Sequence, residues 1–290
     1  MRRGCLAALI LVLAGCGDGE ESSADFLETL ELGERRAVAV TFESRGVTLS
    51  GTLNVPTGEG PHPALVWVHG SGPDTRERTA PFFTDLLDPR FAVFVYDKRG
   101  AGESKGVCCP LDFDLLADDV LAAVDVLRSR DEIDDDRIGL LALSQGGWIA
   151  PLAATKSDRV RFAVILSGSA VSVGEEDLYS GLAGDSDSGC TPDNPPGFIS
   201  SLVHEQKPTG FDPRPVLVRV EIPVLWVYGR RDMSQPVEKD LTVLRPLKRA
   251  GKKFEIVVFP NAGHDLISGC GRRRPDLAGA MNRWLRKHVP

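Results

Sequence analysis

At 290 residues, with 42% hydrophobic and 26% charged side chains, the chain has the balance of a globular protein that can build one large α/β core or two small ones. Its formal charge is −7, with 34 Lys and Arg against 41 Asp and Glu and no clustered basic face. That excludes nucleic acid as a partner, because phosphate binding rests on such clusters, and leaves small molecules and non-basic surfaces.

Arg2 and Arg3 stand before an apolar run from Leu6 to Ala14, the order of an export signal, and the run is too short to span a membrane comfortably. It closes on Leu13, Ala14, Gly15 and Cys16, which resembles the lipobox of bacterial lipoproteins. The resemblance implies a signal peptide over 1–15, cleavage before Cys16 and acylation of its thiol. Acyl chains contribute about 0.8 kcal/mol per buried CH₂, so several of them anchor stably. The chain would then sit on a membrane of the bacterial cell envelope, facing the periplasm or the exterior. A plain signal peptide that happens to end near a cysteine is the alternative. Loss of Arg2 and Arg3 takes the charge to −9. Residues 16–36 read as the lipidated cysteine and a flexible tether, since 17–24 are Gly, Ser, Asp, Glu and Ala without periodicity.

Residues 37–290 read as the folded domain. Alternation through Val38, Val40 and Phe42, then through Val47, Leu49, Leu53 and Val55, with turn residues between, predicts a hairpin. Short apolar runs at Ala64 to Val68, Phe91 to Tyr96, Ile138 to Leu143, Phe162 to Leu166, Val224 to Tyr228 and Phe254 to Phe259 predict buried strands. Leu115 to Leu127, Val237 to Leu244 and Leu277 to Leu285 carry helical spacing. Strand and helix alternation predicts a mostly parallel sheet covered on both faces, antiparallel at its start. Between Leu166 and Val224 the pattern breaks into a stretch rich in Gly, Ser, Asp and Pro. It is read as a cap inserted at about 168–220 over the carboxyl edge of the sheet.

Export favours disulfides, and four cysteines follow Cys16: Cys108, Cys109, Cys190 and Cys270. Consecutive residues are poorly placed to bond each other, so Cys108 and Cys109 are each expected to pair with one of Cys190 and Cys270. A zinc site is the competing reading, although the spacing lacks two separated CxxC pairs.

Strand Ile138 to Leu143 runs straight into Ser144, Gln145, Gly146 and Gly147, with a helix after it. A serine at such a turn is lifted above the sheet beside a helix N-terminus, provided its flanks are small. Gly146 meets the demand, and Ala142 stands where the usual G-x-S-x-G has its first glycine. Alone, this could be an N-capping serine. Its company argues otherwise. Asp232 follows Val224 to Tyr228 and His264 follows Phe254 to Phe259, each at the carboxyl end of a predicted strand, in the order nucleophile, acid, base. The His69 to Pro73 turn after Ala64 to Val68 offers a backbone N–H at Ser71 to work with that of Gln145 on a developing oxyanion. Asp265, Glu238, Asp240, His62, His204 and His288 are the weaker rivals.

His69 to Pro73, Tyr96 to Ser104, Leu143 to Gly147, Gly229 with Asp232, and Gly263 with His264 together resemble the α/β-hydrolase family, especially bacterial esterases and serine-peptidase-like hydrolases with a small cap. The resemblance implies an α/β-hydrolase fold. It also implies attack by Ser144 on an acyl carbonyl, with His264 as base, Asp232 orienting it, and water releasing the acyl-enzyme. No metal or organic cofactor is required. Carboxylic esters are the first choice of substrate. A serine peptidase acting on short peptides shares every residue, and a lipid-anchored binding protein with a vestigial site is the reading from a different class. The Asp97 to Ser104 turn is read as structural.

Overall fold

The alternating segment folds as a hairpin, β1 (Arg35–Ser44) against β2 (Val47–Pro56), turning through Arg45 and Gly46 at φ of 48° and 72°. The computed structural model describes residues 35–78, 84–185, 189–267, 269–270 and 275–290; the expected signal, Cys16 and the tether up to residue 34 lie outside them. The strand begins two residues ahead of the expected boundary at 37, because Arg35 and Arg36 pair with Pro56 and Val55.

In chain order the remaining elements are β3 (His62–Val68), β4 (Ala92–Tyr96), α1 (Phe113–Arg128), β5 (Ile133–Leu143), α2 (Gly146–Lys156) and β6 (Phe162–Leu166). Three cap helices follow, α3 (Val173–Ala183), α4 (Pro196–Glu205) and α5 (Arg214–Leu217). Then come β7 (Val224–Gly229), α6 (Val237–Arg249), β8 (Phe254–Phe259) and α7 (Leu277–His288). The eight strands lie in the order β1-β2-β4-β3-β5-β6-β7-β8, antiparallel through β2 and β4 and parallel from β4 onward. This is the α/β-hydrolase fold.

The continuous apolar strands are explained by cover on both faces. Along β3, Val66 and Val68 enter one core with residues of α1, α2 and α6, while Leu65 and Trp67 enter a second with residues of α7. Trp67 and Trp226 are fully buried, as their strand positions predict.

The cap is more regular than its composition suggests. Its first helix opens on a capping box, Ser172 N–H donating to Glu175 Oε2 at 2.9 Å. Burial raises the Glu175 pKa, but hydrogen bonds from Lys239 and Arg214 outweigh it and hold that carboxyl at about 2. One carboxylate therefore fastens α3 to α5 and α6.

The cysteines pair otherwise than expected: Cys108 bonds Cys109 and Cys190 bonds Cys270. Placement decides it. Cys109 adopts φ of 60°, and its turn lies on Gly100, where a Cβ would come within 2.2 Å of Cys108 N. Cys190 and Cys270, from the cap and the loop after β8, bring their Cα atoms to 5.5 Å. Among the described residues no helix is long and apolar enough to cross a membrane.

Candidate active site

Ser144 follows the last residue of β5 at φ of +52°, a left-handed backbone that a non-glycine residue holds only under constraint. The constraint is visible: its N–H donates to Leu166 O at 2.9 Å and its carbonyl accepts from Gly147 N at 2.8 Å. A Cβ at Gly146 would lie 2.8 Å from Val68 O and 3.0 Å from Ala142 Cβ, so the second small residue of the elbow has to be glycine. The first has room for one methyl, which is why Ala142 is accommodated. Gln145 and Gly146 beside Ser144 are buried, whereas Ser144 itself is partly exposed at the N-terminus of α2. Trp148 packs below, donating Nε1–H to Val171 O at 2.8 Å.

Asp232 and His264 meet directly, with His264 Nδ1 2.9 Å from Asp232 Oδ2. The other carboxylate oxygen, Oδ1, accepts from Ser234 N at 2.8 Å and Gln235 N at 2.7 Å. Both side chains are buried, at 0% and 7% exposure, so the pair works in a low dielectric. The loops approach closely because Gly229 ends β7: a Cβ there would come within 2.3 Å of Gly263 O. Arg231 N–H donates to Ala262 O at 3.0 Å across the same gap.

Two consecutive residues at the end of β6, its last residue and the one after it, register this pair against the serine. Leu166 O holds Ser144 N, and Ser167 Oγ donates to His264 O at 2.7 Å. The backbones of the elbow and of the histidine loop are thus fixed to neighbouring positions on one strand end.

Opposite lies the His69 to Pro73 turn. A Cβ at Gly70 would stand 3.5 Å from Ser144 Cβ, so the turn borders the serine. Ser71 is exposed, and among the described residues neither its N–H nor that of Gln145 has an intramolecular acceptor. His69 is buried, its Nδ1 3.1 Å from Asp74 Oδ2. Lys98, 2% exposed, donates from Nζ to Gly70 O at 2.6 Å and to Gln145 Oε1 at 2.7 Å. Burial lowers its pKa to about 8, against the pull of Asp74.

The rivals make other contacts: Asp265, beside His264, accepts from Ile267 N at 3.2 Å, and His62 begins β3. Glu238 pairs with Arg230 at the surface, and Asp240, on the buried face of α6, accepts from Ala170 N at 2.7 Å. His204 is exposed on α4, and His288 stacks on Trp284. Cys108, Cys109, Cys190 and Cys270 form the two disulfides.

Two cap residues escaped the sequence reading. Tyr179 on α3 donates its hydroxyl to Asp232 O at 2.7 Å, and its pKa is raised to about 12 by burial and the Asp232 charge. Glu176, one turn earlier, accepts from Gln235 Nε2 at 3.4 Å. Burial first, then Asp177, Asp185 and Asp232, raise its pKa to about 8 against the opposing influence of His264. The capping box Ser172 to Glu175 was the available signal for a helix there, but nothing in sequence says which face turns to the histidine.

Comparison with known proteins agrees with this architecture. A family model described as serine aminopeptidase, S33, matches residues 59–184, which hold the His69 turn, the elbow and α3. Esterase EstD of Thermotoga maritima is 28% identical over 263 residues, covering 81% of this chain and 63% of the esterase. An uncharacterized peptidase of Bacillus subtilis, YuxL, is 28% identical over 266 residues, covering 84% of this chain and 38% of its own length. The chain thus spans less than two thirds of either relative. Among solved structures, an esterase of Pyrococcus furiosus superposes with a TM-score of 0.67 at 18% identity, covering 98% of this chain and 100% of that one. An acylaminoacyl peptidase of Pyrococcus horikoshii gives 0.61 at 20% identity, over 84% of this chain and 39% of that one. The shared feature is the α/β-hydrolase fold, common here to esterases and peptidases.

Proposed function

We propose that the protein is a serine hydrolase that cleaves carboxylic esters through an acyl-enzyme on Ser144. The observation that carries the reading is the buried His264–Asp232 pair at 2.9 Å, fixed through Ser167 and Leu166 to the strained elbow of Ser144. His264 Nε2 takes the Ser144 proton as Oγ adds to the ester carbonyl, and Asp232 stabilises the imidazolium that results. The N–H groups of Ser71 and Gln145 meet the oxyanion. His264 then protonates the leaving alkoxide, and a water, deprotonated by the same imidazole, hydrolyses the acyl-serine and frees the acid. A screen of p-nitrophenyl esters and aminoacyl anilides on wild type and Ser144→Ala tests this; equal hydrolysis by both proteins would overturn it.

A second reading, a serine peptidase acting on short peptides, is supported by Glu176, a largely buried cap carboxyl within electrostatic reach of His264, where a substrate amino group would find a partner. Preference for anilides over esters in the same screen would select it. A binding protein with a vestigial site is tested by a fluorophosphonate probe, which would leave Ser144 unlabelled.

The export signal and the acyl anchor on Cys16 belong to the same proposal. Two disulfides accord with an oxidising compartment. Mass analysis of the mature N-terminus tests it: an unacylated Cys16 excludes the anchor.

A further inference from the structure

The Asp97 to Ser104 segment, read from sequence as a structural turn, contains a group that reaches both sides of the oxyanion site. Much of the segment is indeed a brace. The Asp97 carboxylate accepts from Arg76 N at 3.0 Å and Glu103 N at 2.9 Å, and Arg99 Nε donates to Asp119 at 3.0 Å. Lys98 differs, because its ammonium ends between the two loops that flank Ser144.

The Gly70 carbonyl that Lys98 Nζ holds at 2.6 Å belongs to the same peptide plane as the Ser71 N–H. In a planar trans peptide the C=O and N–H point in opposite directions, so fixing the carbonyl aims the N–H. A hydrogen bond from a cation to that carbonyl also draws electron density from the amide and strengthens the N–H as a donor. The second bond, 2.7 Å to Gln145 Oε1, anchors the side chain of the residue whose own N–H is the other oxyanion donor. That side chain caps no helix N–H, so the lysine is its fixed point.

We propose that Lys98 is a positioning residue for acyl transfer, aiming and polarising the Ser71 amide through Gly70 O and locking Gln145 through Oε1; the inference rests on the hydrolase reading above. Burying an ammonium against two neutral acceptors costs several kcal/mol, which a merely structural turn has no need to bear. Its lowered pKa, with Asp74 as the opposing charge, is the mark of that cost. The positive charge stands behind the Ser71 donor, on the carbonyl side of its peptide, where it lowers the energy of negative charge developing on the substrate oxygen.

The test compares Lys98→Met, Lys98→Gln and Lys98→Arg with wild type in ester kinetics, fluorophosphonate labelling of Ser144 and thermal melting. Lys98→Met is expected to lower kcat by about 10²-fold, in the range of a lost oxyanion donor, with KM within about twofold. Phosphonylation should slow in parallel, and Lys98→Arg should recover at least about tenfold of the loss. A folded Lys98→Met with unchanged kcat, or with only KM raised, overturns the proposal. Should the Met variant fail to fold, Lys98→Gln and Lys98→Arg decide, because equal kcat in those two removes the role of the charge. Wild type that takes no phosphonate on Ser144 sinks the hydrolase reading and this one together. Labelled wild type beside an unimpaired Lys98→Met sinks the lysine proposal alone.

Discussion

Asp232 divides its carboxylate between two tasks: Oδ2 lies 2.9 Å from His264 Nδ1, and Oδ1 takes the backbone N–H groups of Ser234 and Gln235. The second task fixes the direction of the first. Asp232→Asn could keep the loop bonds through its remaining oxygen while presenting an amide to the imidazole. That favours the wrong tautomer, and kcat for ester hydrolysis should fall by about 10⁴-fold with little change in the melting temperature. A loss below about tenfold would reduce Asp232 to a turn residue.

The elbow makes an asymmetric demand. Gly146→Ala places a methyl 2.8 Å from Val68 O, a backbone atom that cannot swing aside. Displacement of the turn should cost about 10²-fold in phosphonate labelling of Ser144. Ala142→Gly should stay within about threefold of wild type, and adding it to Gly146→Ala should rescue little, since it relieves only the clash with Ala142 Cβ. Full rescue by Ala142→Gly would show that the carbonyl is not the obstacle.

Glu176 makes stability depend on pH. Its folded pKa of about 8 exceeds the ordinary 4.5, so the native state keeps a proton that the unfolded chain releases. Stability therefore falls as pH rises from 4.5 to about 8, where the folded carboxyl also ionises. Glu176→Gln, neutral throughout, should melt about 4 °C above wild type near pH 9 and lose that advantage near pH 4, a gain of about 1–2 kcal/mol. Parallel melting curves for the two proteins across this range would refute the assignment.

The two disulfides should contribute unequally. Cys190 and Cys270 are 80 positions apart, and closing a loop of that length is worth about 4 kcal/mol in the chain-entropy account. Replacing both with Ser should lower the melting temperature by about 10 °C. Cys108 and Cys109 are adjacent and restrict almost no chain, so Ser at both should cost about 2 °C or less. Equal losses in scanning calorimetry would contradict this ranking.

The strand runs, Ser144, Asp232, His264 and the turn at Ser71 were legible because the period of apolar residues and the ends of strands fix them locally. Ala142 was legible as a tolerable departure, and the structure supplies the measure, one methyl of room beside Gly146. Glu176, Tyr179 and the reach of Lys98 were not legible. Their roles depend on how α3 lies against the Asp232 loop and on how a turn after β4 enters the space between two others, which no short window encodes. The cysteine pairing failed for a similar reason: the left-handed turn at Cys109 and the bare face of Gly100 set it, and neither registers in a count of spacings.

The Cys190–Cys270 bridge has a topological consequence. It closes a covalent ring that contains Asp232 and His264 but not Ser144. A protease that cuts the chain once anywhere between the two cysteines, even between the acid and the base, leaves both in a single molecule with the nucleophile. The proton-handling half of the site is thus insured against a nick, whereas a cut between Ser144 and Cys190 divides the protein into two pieces with no covalent link to hold them.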